Sequence, residues 1–179
     1  MKTGRRQGVT AFLGEFETSV LNDKRIRLPV GVTRQLKEAG VRTIRASILP
    51  HQEALVLFPE ATWPSGIKKI TQQDPLLGTP QGFRSFISPS VPLSWDSQGR
   101  VSISDRLLQY AGLRVEQPVV IIGVDAHFEL WNMDAFEEMR KRCQEALGAQ
   151  ARPKEPRNPD SPYLKKDGFN AKPVQQKLF

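Results

Sequence analysis

The 179-residue chain predicts a mostly β fold with short helices (α+β), built from two copies of one supersecondary unit. Three observations predict it. Short apolar segments alternate with polar residues and are bounded by turn residues. One order of elements runs through both halves: strand, turn, strand, short helix, strand, turn, strand, helix. Particular residues also recur: Arg25 with Arg100, Ala39-Gly40-Val41 with Ala111-Gly112-Leu113, and Leu55-Val56-Leu57-Phe58 with Phe128-Glu129-Leu130-Trp131, after which Trp63 falls on Phe136. Such self-similarity marks a duplicated unit. A half of about 55 residues is marginal alone, so the halves are expected to share one core.

Residues 1–11 read as a flexible basic arm, with Lys2, Arg5 and Arg6. Residues 12–66 form the first repeat. Phe12, Leu13, Phe16, Val20 and Leu21 predict a strand, and Asn22-Asp23-Lys24 a turn, because Asn and Asp tolerate turn dihedrals. Arg25-Ile26-Arg27-Leu28 alternates basic and apolar residues, so one face packs and the other carries two guanidinium groups. Val32, Leu36 and Ala39 give a short amphipathic helix stopped at Gly40. Strands are predicted at 43–48 and 54–58, with a turn over Pro50-His51-Gln52-Glu53. Residues 67–85 read as a connector: Ile67-Lys68-Lys69-Ile70 suggest a helical turn, and Asp-Pro, Gly-Thr-Pro and a further Gly interrupt Gln72 to Gly82. Residues 86–147 form the second repeat. A strand from Phe86 to Trp95 leads into the turn Asp96-Ser97-Gln98-Gly99, and Arg100-Val101-Ser102-Ile103 leads out. Asp105 to Tyr110 is a short helix, 119–124 a strand, Asp125-Ala126 a turn, and 127–131 a strand. Asn132 caps a helix whose apolar stripe is Phe136, Met139, Cys143 and Leu147. Residues 148–179 read as a disordered, Pro-rich and basic tail.

Composition narrows the function. Twenty-six Lys and Arg against 19 Asp and Glu give a net charge of +7 and a pI near 9.8. This favours a polyanionic partner, double-stranded DNA first. No apolar run suits a membrane span, and no apolar stretch follows the basic N-terminus as in a signal peptide. One cysteine, Cys143, excludes an intramolecular disulfide and a multi-cysteine zinc site, and is expected to be packed. His51 and His127 lack companions at metal-ligand spacing. No cofactor or metal is expected, and a cytoplasmic, nucleoid-associated location is. An enzyme is not expected: there is no G-x-S-x-G, no phosphate-cradling glycine loop and no His/Cys or His/Ser pairing. Asp96 and Glu129 could be imagined as a carboxylate pair, but nothing in the pattern supports it.

The two loops carry the candidate chemistry. A turn between strands projects its side chains outward. Lys24, Arg25, Arg27 and Arg100 would offer donors to phosphates and guanine edges, and a two-stranded ribbon fits the major groove. Asp23, Asp96 and Gly99 would set the loops' geometry. The competing reading makes each Arg the structural partner of a nearby carboxylate such as Asp96, and for Arg100 both can hold at once; for Lys24 and Arg27 the competing reading is a solvated strand face. Phe58, Trp63, Phe128 and Trp131 read as core rather than as platforms for bases.

These residues, in this order, resemble the MraZ family, whose members carry two SpoVT/AbrB-type repeats. The resemblance covers residues 12 to 142. It rests on Phe12-Leu13-Gly14-Glu15-Phe16-Glu17 followed by Arg25 and Pro29, on Leu57-Phe58-Pro59 to Trp63, on Asp96-Ser97-Gln98-Gly99-Arg100-Val101, on Gly112-Leu113, on Val120-Ile121-Ile122-Gly123-Val124, and on Phe128-Glu129-Leu130-Trp131. It implies a swapped-hairpin β-barrel in which the repeats interleave. It also implies a DNA-binding transcriptional regulator that forms ring-like homo-oligomers on short direct repeats in promoter DNA. Aligned without gaps, Leu21 stands where the family's first motif has Asp, and Lys24 where it has Gly. The first loop is therefore expected to differ in geometry and target, with Asp23 substituting only if the turn is rebuilt.

The tail ends in Gln175-Gln176-Lys177-Leu178-Phe179, which resembles the Q-x-x-L-F peptide that docks on the bacterial replication sliding clamp. Gln175, Leu178 and Phe179 would be its anchors. An adaptor bound to the clamp is thus the alternative function, and an AbrB-like antitoxin whose tail wraps a toxin is a third.

Overall fold

The computed structural model describes residues 11–49 and 52–151, without the side chains of 149–151. Residues 1–10 of the basic arm, Pro50, His51 and the tail beyond residue 151, with Gln175, Leu178 and Phe179, lie outside the described residues, while residues 148–151, read as the start of the tail, continue the last helix. Two units divide the chain, residues 1–141 and 142–179. The first holds every strand and every helix except the end of the last one.

The elements are β1 (Glu15–Ser19), β2 (Arg25–Arg27), α1 (Val30–Glu38), β3 (Ile44–Ile48), β4 (Ala54–Pro59), a single 3-10 turn (Glu60–Thr62), α2 (Trp63–Gln73), α3 (Pro80–Ile87), β5 (Val91–Leu93), β6 (Arg100–Ser102), α4 (Asp105–Tyr110), β7 (Pro118–Val124), β8 (His127–Asn132) and α5 (Met133–Ala151). They form a sheet of order β1-β7-β8-β4-β3-β5 and a ribbon of β2 with β6. All pairings are antiparallel.

The pairing exchanges hairpins between the repeats. From the first repeat, β1 lies against β7 of the second, with Phe16 opposite Ile121. From the second, β5 lies against β3 of the first, with Val91 opposite Ala46. Isolated bridges Val20–Ile26 and Trp95–Val101 tie the two edges of the sheet to the ribbon. A pseudo-two-fold relates the halves. It passes between Ile26 and Val101 in the ribbon and between Val56 and Glu129 where β4 meets β8. The halves share one core, as expected: Val20, Ile26, Leu36, Leu55, Val101, Leu107, Ile121 and Leu130 belong to a single buried cluster.

The short helices end alike. Gly40 and Gly112 take φ of 69° and 60°, and the N–H groups of Val41 and Leu113 return to the carbonyls of Leu36 and Leu108 at 2.8 and 2.9 Å. This is the Schellman stop, which a glycine makes without a Cβ penalty. Asn132 caps α5, its Oδ1 accepting from the Asp134 N–H at 2.9 Å.

Three local expectations differ from the structure. Residues 67–85 lie mostly in helices α2 and α3, and Phe86 and Ile87 belong to α3 rather than to a strand. Thr79-Pro80 is a helix start: the Thr79 hydroxyl accepts from the Gly82 N–H at 3.1 Å, and Pro80 occupies the first turn, where its missing N–H costs nothing. Leu77 and Phe86 pack from this segment onto Val56 and Phe58, and Gly66 lets α2 approach, since a Cβ there would meet the Phe58 ring at 2.3 Å. The third difference is Cys143, which is exposed. Phe58, Phe128 and Trp131 are buried and Trp63 half-buried; they serve the core.

Candidate functional site

The ribbon positions three of the four basic residues, and Lys24 stands in the turn before β2. Ile26 and Val101 point inward and are buried. Alternation puts Arg25, Arg27, Arg100 and Ser102 on the outward face, where the register sets Arg25 opposite Ser102 and Arg27 opposite Arg100.

Both loops have the same backbone. In the second, the Gly99 N–H reaches the Asp96 carbonyl at 2.9 Å and the Asp96 N–H the Arg100 carbonyl at 3.0 Å; in the first, Lys24 reaches Leu21 at 2.9 Å and Leu21 reaches Arg25 at 2.7 Å. Gly99 has φ 74° and Lys24 φ 61°. Each loop is thus a turn closed by a left-handed residue that forms a bulge. The loops are also bound to each other, Leu28 N–H to the Gly99 carbonyl at 2.8 Å and Ile103 N–H to the Lys24 carbonyl at 3.4 Å. The expected change of geometry in the first loop is therefore not seen: Lys24 takes the glycine conformation.

The carboxylates hold the guanidiniums. Asp96 Oδ1 accepts from the backbone N–H groups of Gln98 and Arg100, both at 2.9 Å, and Oδ2 accepts from Arg100 Nε at 2.7 Å. Asp96 Oδ2 also takes Nη1 of Arg25, from the other repeat, at 3.3 Å. Asp23 accepts from Arg25 N–H at 3.2 Å and from Nε at 2.7 Å, and its Oδ2 also pairs with Arg25 Nη2. Asp23 thus replaces the carboxylate that Leu21 lacks, from two residues further on. Hydrogen bonds to the charged form favour it. The Arg25 side chain holds Asp23 below the usual carboxylate range. The Arg100 backbone N–H, aided by its side chain, does so for Asp96. In return Asp23 raises the already high value of Arg25.

Lys24 Nζ meets Asp105, the first residue of α4, at 2.8 Å. Sequence reasoning missed this partner, and the Asp96–Arg25 contact across repeats; neither lies within one repeat's motif. Glu129 is far from this chemistry in role. It accepts from Trp131 Nε1 at 2.9 Å and lies 3.3 Å from His127 Nε2, so Asp96 and Glu129 are not brought together as a pair. Among the described residues, no cluster of three His, Cys, Asp or Glu is placed to hold a metal, and no helix is long and apolar enough to cross a membrane.

Comparison with known proteins places the chain among relatives. The family model for MraZ protein, described as antitoxin-like, matches residues 86–154. A "Transcriptional regulator MraZ" of Halothermothrix orenii is 32% identical over 144 residues, 76% of this chain and 96% of that protein. The chain belongs to the MraZ family. Other MraZ relatives of the same name include those of Anaeromyxobacter sp. (29% over 127 residues, 70% of this chain and 86% of the relative) and Bacteroides fragilis (28% over 130 residues, 72% and 81%). These MraZ proteins carry the name of regulators, not of enzymes. A solution structure from Pyrococcus horikoshii aligns at a TM-score of 0.31 and 14% identity, over 66% of this chain and 96% of that one.

Proposed function

We propose that this protein is a DNA-binding transcriptional regulator of MraZ type, and that the outward face of the β2–β6 ribbon meets the duplex. The supporting observation is that ribbon: three guanidiniums on one rigid face, two of them oriented by carboxylates. A preorganised fork loses less freedom on binding. Lys24 flanks the face, and Asp23, Asp96 and Gly99 set it. One such ribbon offers few contacts. Several copies in a ring on promoter direct repeats would multiply them through effective concentration, so the acting form is a homo-oligomer. The location implied by this role is cytoplasmic, at the nucleoid.

The test is affinity for promoter DNA against salt. Each phosphate contact contributes roughly 0.9 to the slope of log K against log salt. The Arg25→Ala, Arg100→Ala double variant should bind more weakly with a shallower slope. Equal affinity and slope would refute the interface.

For the tail, Gln175, Leu178 and Phe179 support docking on the replication sliding clamp by pattern alone. Clamp pull-down with the full chain and with one lacking residues 175–179 decides it, and equal recovery removes the idea.

A further inference from the structure

The pseudo-two-fold of the ribbon holds for the backbone and fails for the side chains. It carries Arg25 onto Arg100 and Ile26 onto Val101, but it carries Arg27 onto Ser102. The two ends of the ribbon are therefore chemically unequal. At one end Arg27 stands opposite Arg100; at the other Arg25 stands opposite Ser102.

Hydrogen bonding sharpens the difference. Arg25 uses Nε and Nη2 on Asp23 and Nη1 on Asp96. Arg100 uses Nε on Asp96, and no described residue takes its Nη1 or Nη2. Arg27 is exposed, and among the described residues its guanidinium has no partner. Thus one end presents two guanidiniums with free donor edges and the other presents one already engaged. Like charges directly opposite on a strand pair are unfavourable. A chain that keeps Arg27 across from Arg100 retains that cost, and an acceptor-rich ligand would remove it.

Resting on the DNA-binding reading above, we propose that Arg27 is a specificity-determining residue. With Arg100 it forms the base-reading end of the ribbon, and it makes the two directions of a DNA site distinguishable. The ligand chemistry is the O6 and N7 edge of guanine in the major groove, which matches two parallel N–H donors. Arg25 and Ser102 form the end that holds the backbone.

The experiment selects duplexes from a randomised library with the wild-type full chain, then measures binding of the selected duplex and its single-base variants. Arg27→Ser restores the symmetry. Arg27→Lys keeps the charge and loses the planar fork. The expected result is a guanine at one position of the site, discriminated about 5- to 150-fold. That discrimination is lost in both variants, while Arg27→Lys keeps the wild-type salt slope. If both variants select the wild-type sequence, the assignment is overturned, whether Arg27→Ser weakens all duplexes equally or leaves binding unchanged. If wild type shows no salt-dependent binding to any duplex, the DNA-binding reading itself fails. Unfolding midpoints equal to wild type exclude a folding defect as the cause.

Discussion

Lys24 and Gly99 hold equivalent places in the two loops, so exchanging their chemistry tests whether the loops are built alike. Lys24 has φ 61° and Gly99 φ 74°. A side chain in that region costs about 1–2 kcal/mol. At Gly99 a new Cβ would find its nearest neighbour, Thr33 Cγ2, at 3.6 Å, which is ordinary contact. The cost of Gly99→Ala is therefore conformational and not steric. The stiffer unfolded chain offsets about 0.4–1 kcal/mol of it, which leaves a net loss of about 1 kcal/mol. Lys24→Gly runs the other way. It relieves the same 1–2 kcal/mol, gives back about 0.5–1 kcal/mol to the freer unfolded chain, and loses the ion pair with Asp105. That pair is exposed, 54% and 75% for its side chains, and such pairs are worth at most about 1 kcal/mol. Lys24→Gly should thus be close to neutral. Urea unfolding measures both, as a shift of midpoint at constant m-value. Lys24→Gly destabilising by more than about 2 kcal/mol, or Gly99→Ala by more than about 3 kcal/mol, would show that the two left-handed residues are not equivalent.

Two further predictions concern acid and the helical insert. Asp23 and Asp96 are both held below the ordinary value of 3.8, so their contribution to stability is complete above that value and is lost as pH falls through the lower folded values. Unfolding midpoints measured from pH 6 downward should decline below about pH 4, and the double variant Asp23→Asn, Asp96→Asn should show a shallower decline over that window; an identical profile would contradict the arrangement. Phe86 is fully buried in the cluster that joins α3 to β4, so Phe86→Ala should cost about 3–5 kcal/mol in denaturant unfolding, whereas a residue of a loose linker would cost almost nothing.

Much of the fold is legible in the sequence because its signals are local. The Gly40 and Gly112 stops, the Asn132 cap and the two Arg-bearing turns each follow from a few neighbouring residues. The segment from 64 to 87 is less legible, because its Gly and Pro residues have two meanings. Pro80 after Thr79 starts a helix, and Gly66 allows one to pack on Phe58; the same letters also spell a loop. Cys143 fits a helical stripe by spacing, yet spacing alone does not say how far along α5 the stripe is covered. Exchange of hairpins cannot be read from either repeat, since β1 on β7 and β5 on β3 are pairings between halves.

The candidate site divides along the same line. Pairing of Asp96 with Arg100 is a contact four residues apart and is legible in the turn itself. The hold of Asp96 on Arg25 spans the repeats and has no sequence signal. Its cause is nonetheless plain once the loops are superposed through the two-fold. Leu21, at the turn position that Asp96 holds in the second loop, supplies no carboxylate. Asp23, two residues later, grips Arg25 on Nε and Nη2, and that leaves Nη1 to reach across to Asp96. With the first loop's carboxylate two positions later, both Arg residues are anchored and the two turns share one backbone. The change lies in the number of donors each loop leaves open: Arg25 becomes engaged on every donor nitrogen while Arg100 keeps two. A loop that looks degraded when read against its motif is intact in backbone and altered in what it offers a ligand. Arg27, opposite Arg100 rather than opposite Arg25, adds its free guanidinium to the side already richer in donors, so both departures from symmetry favour the same end of the ribbon.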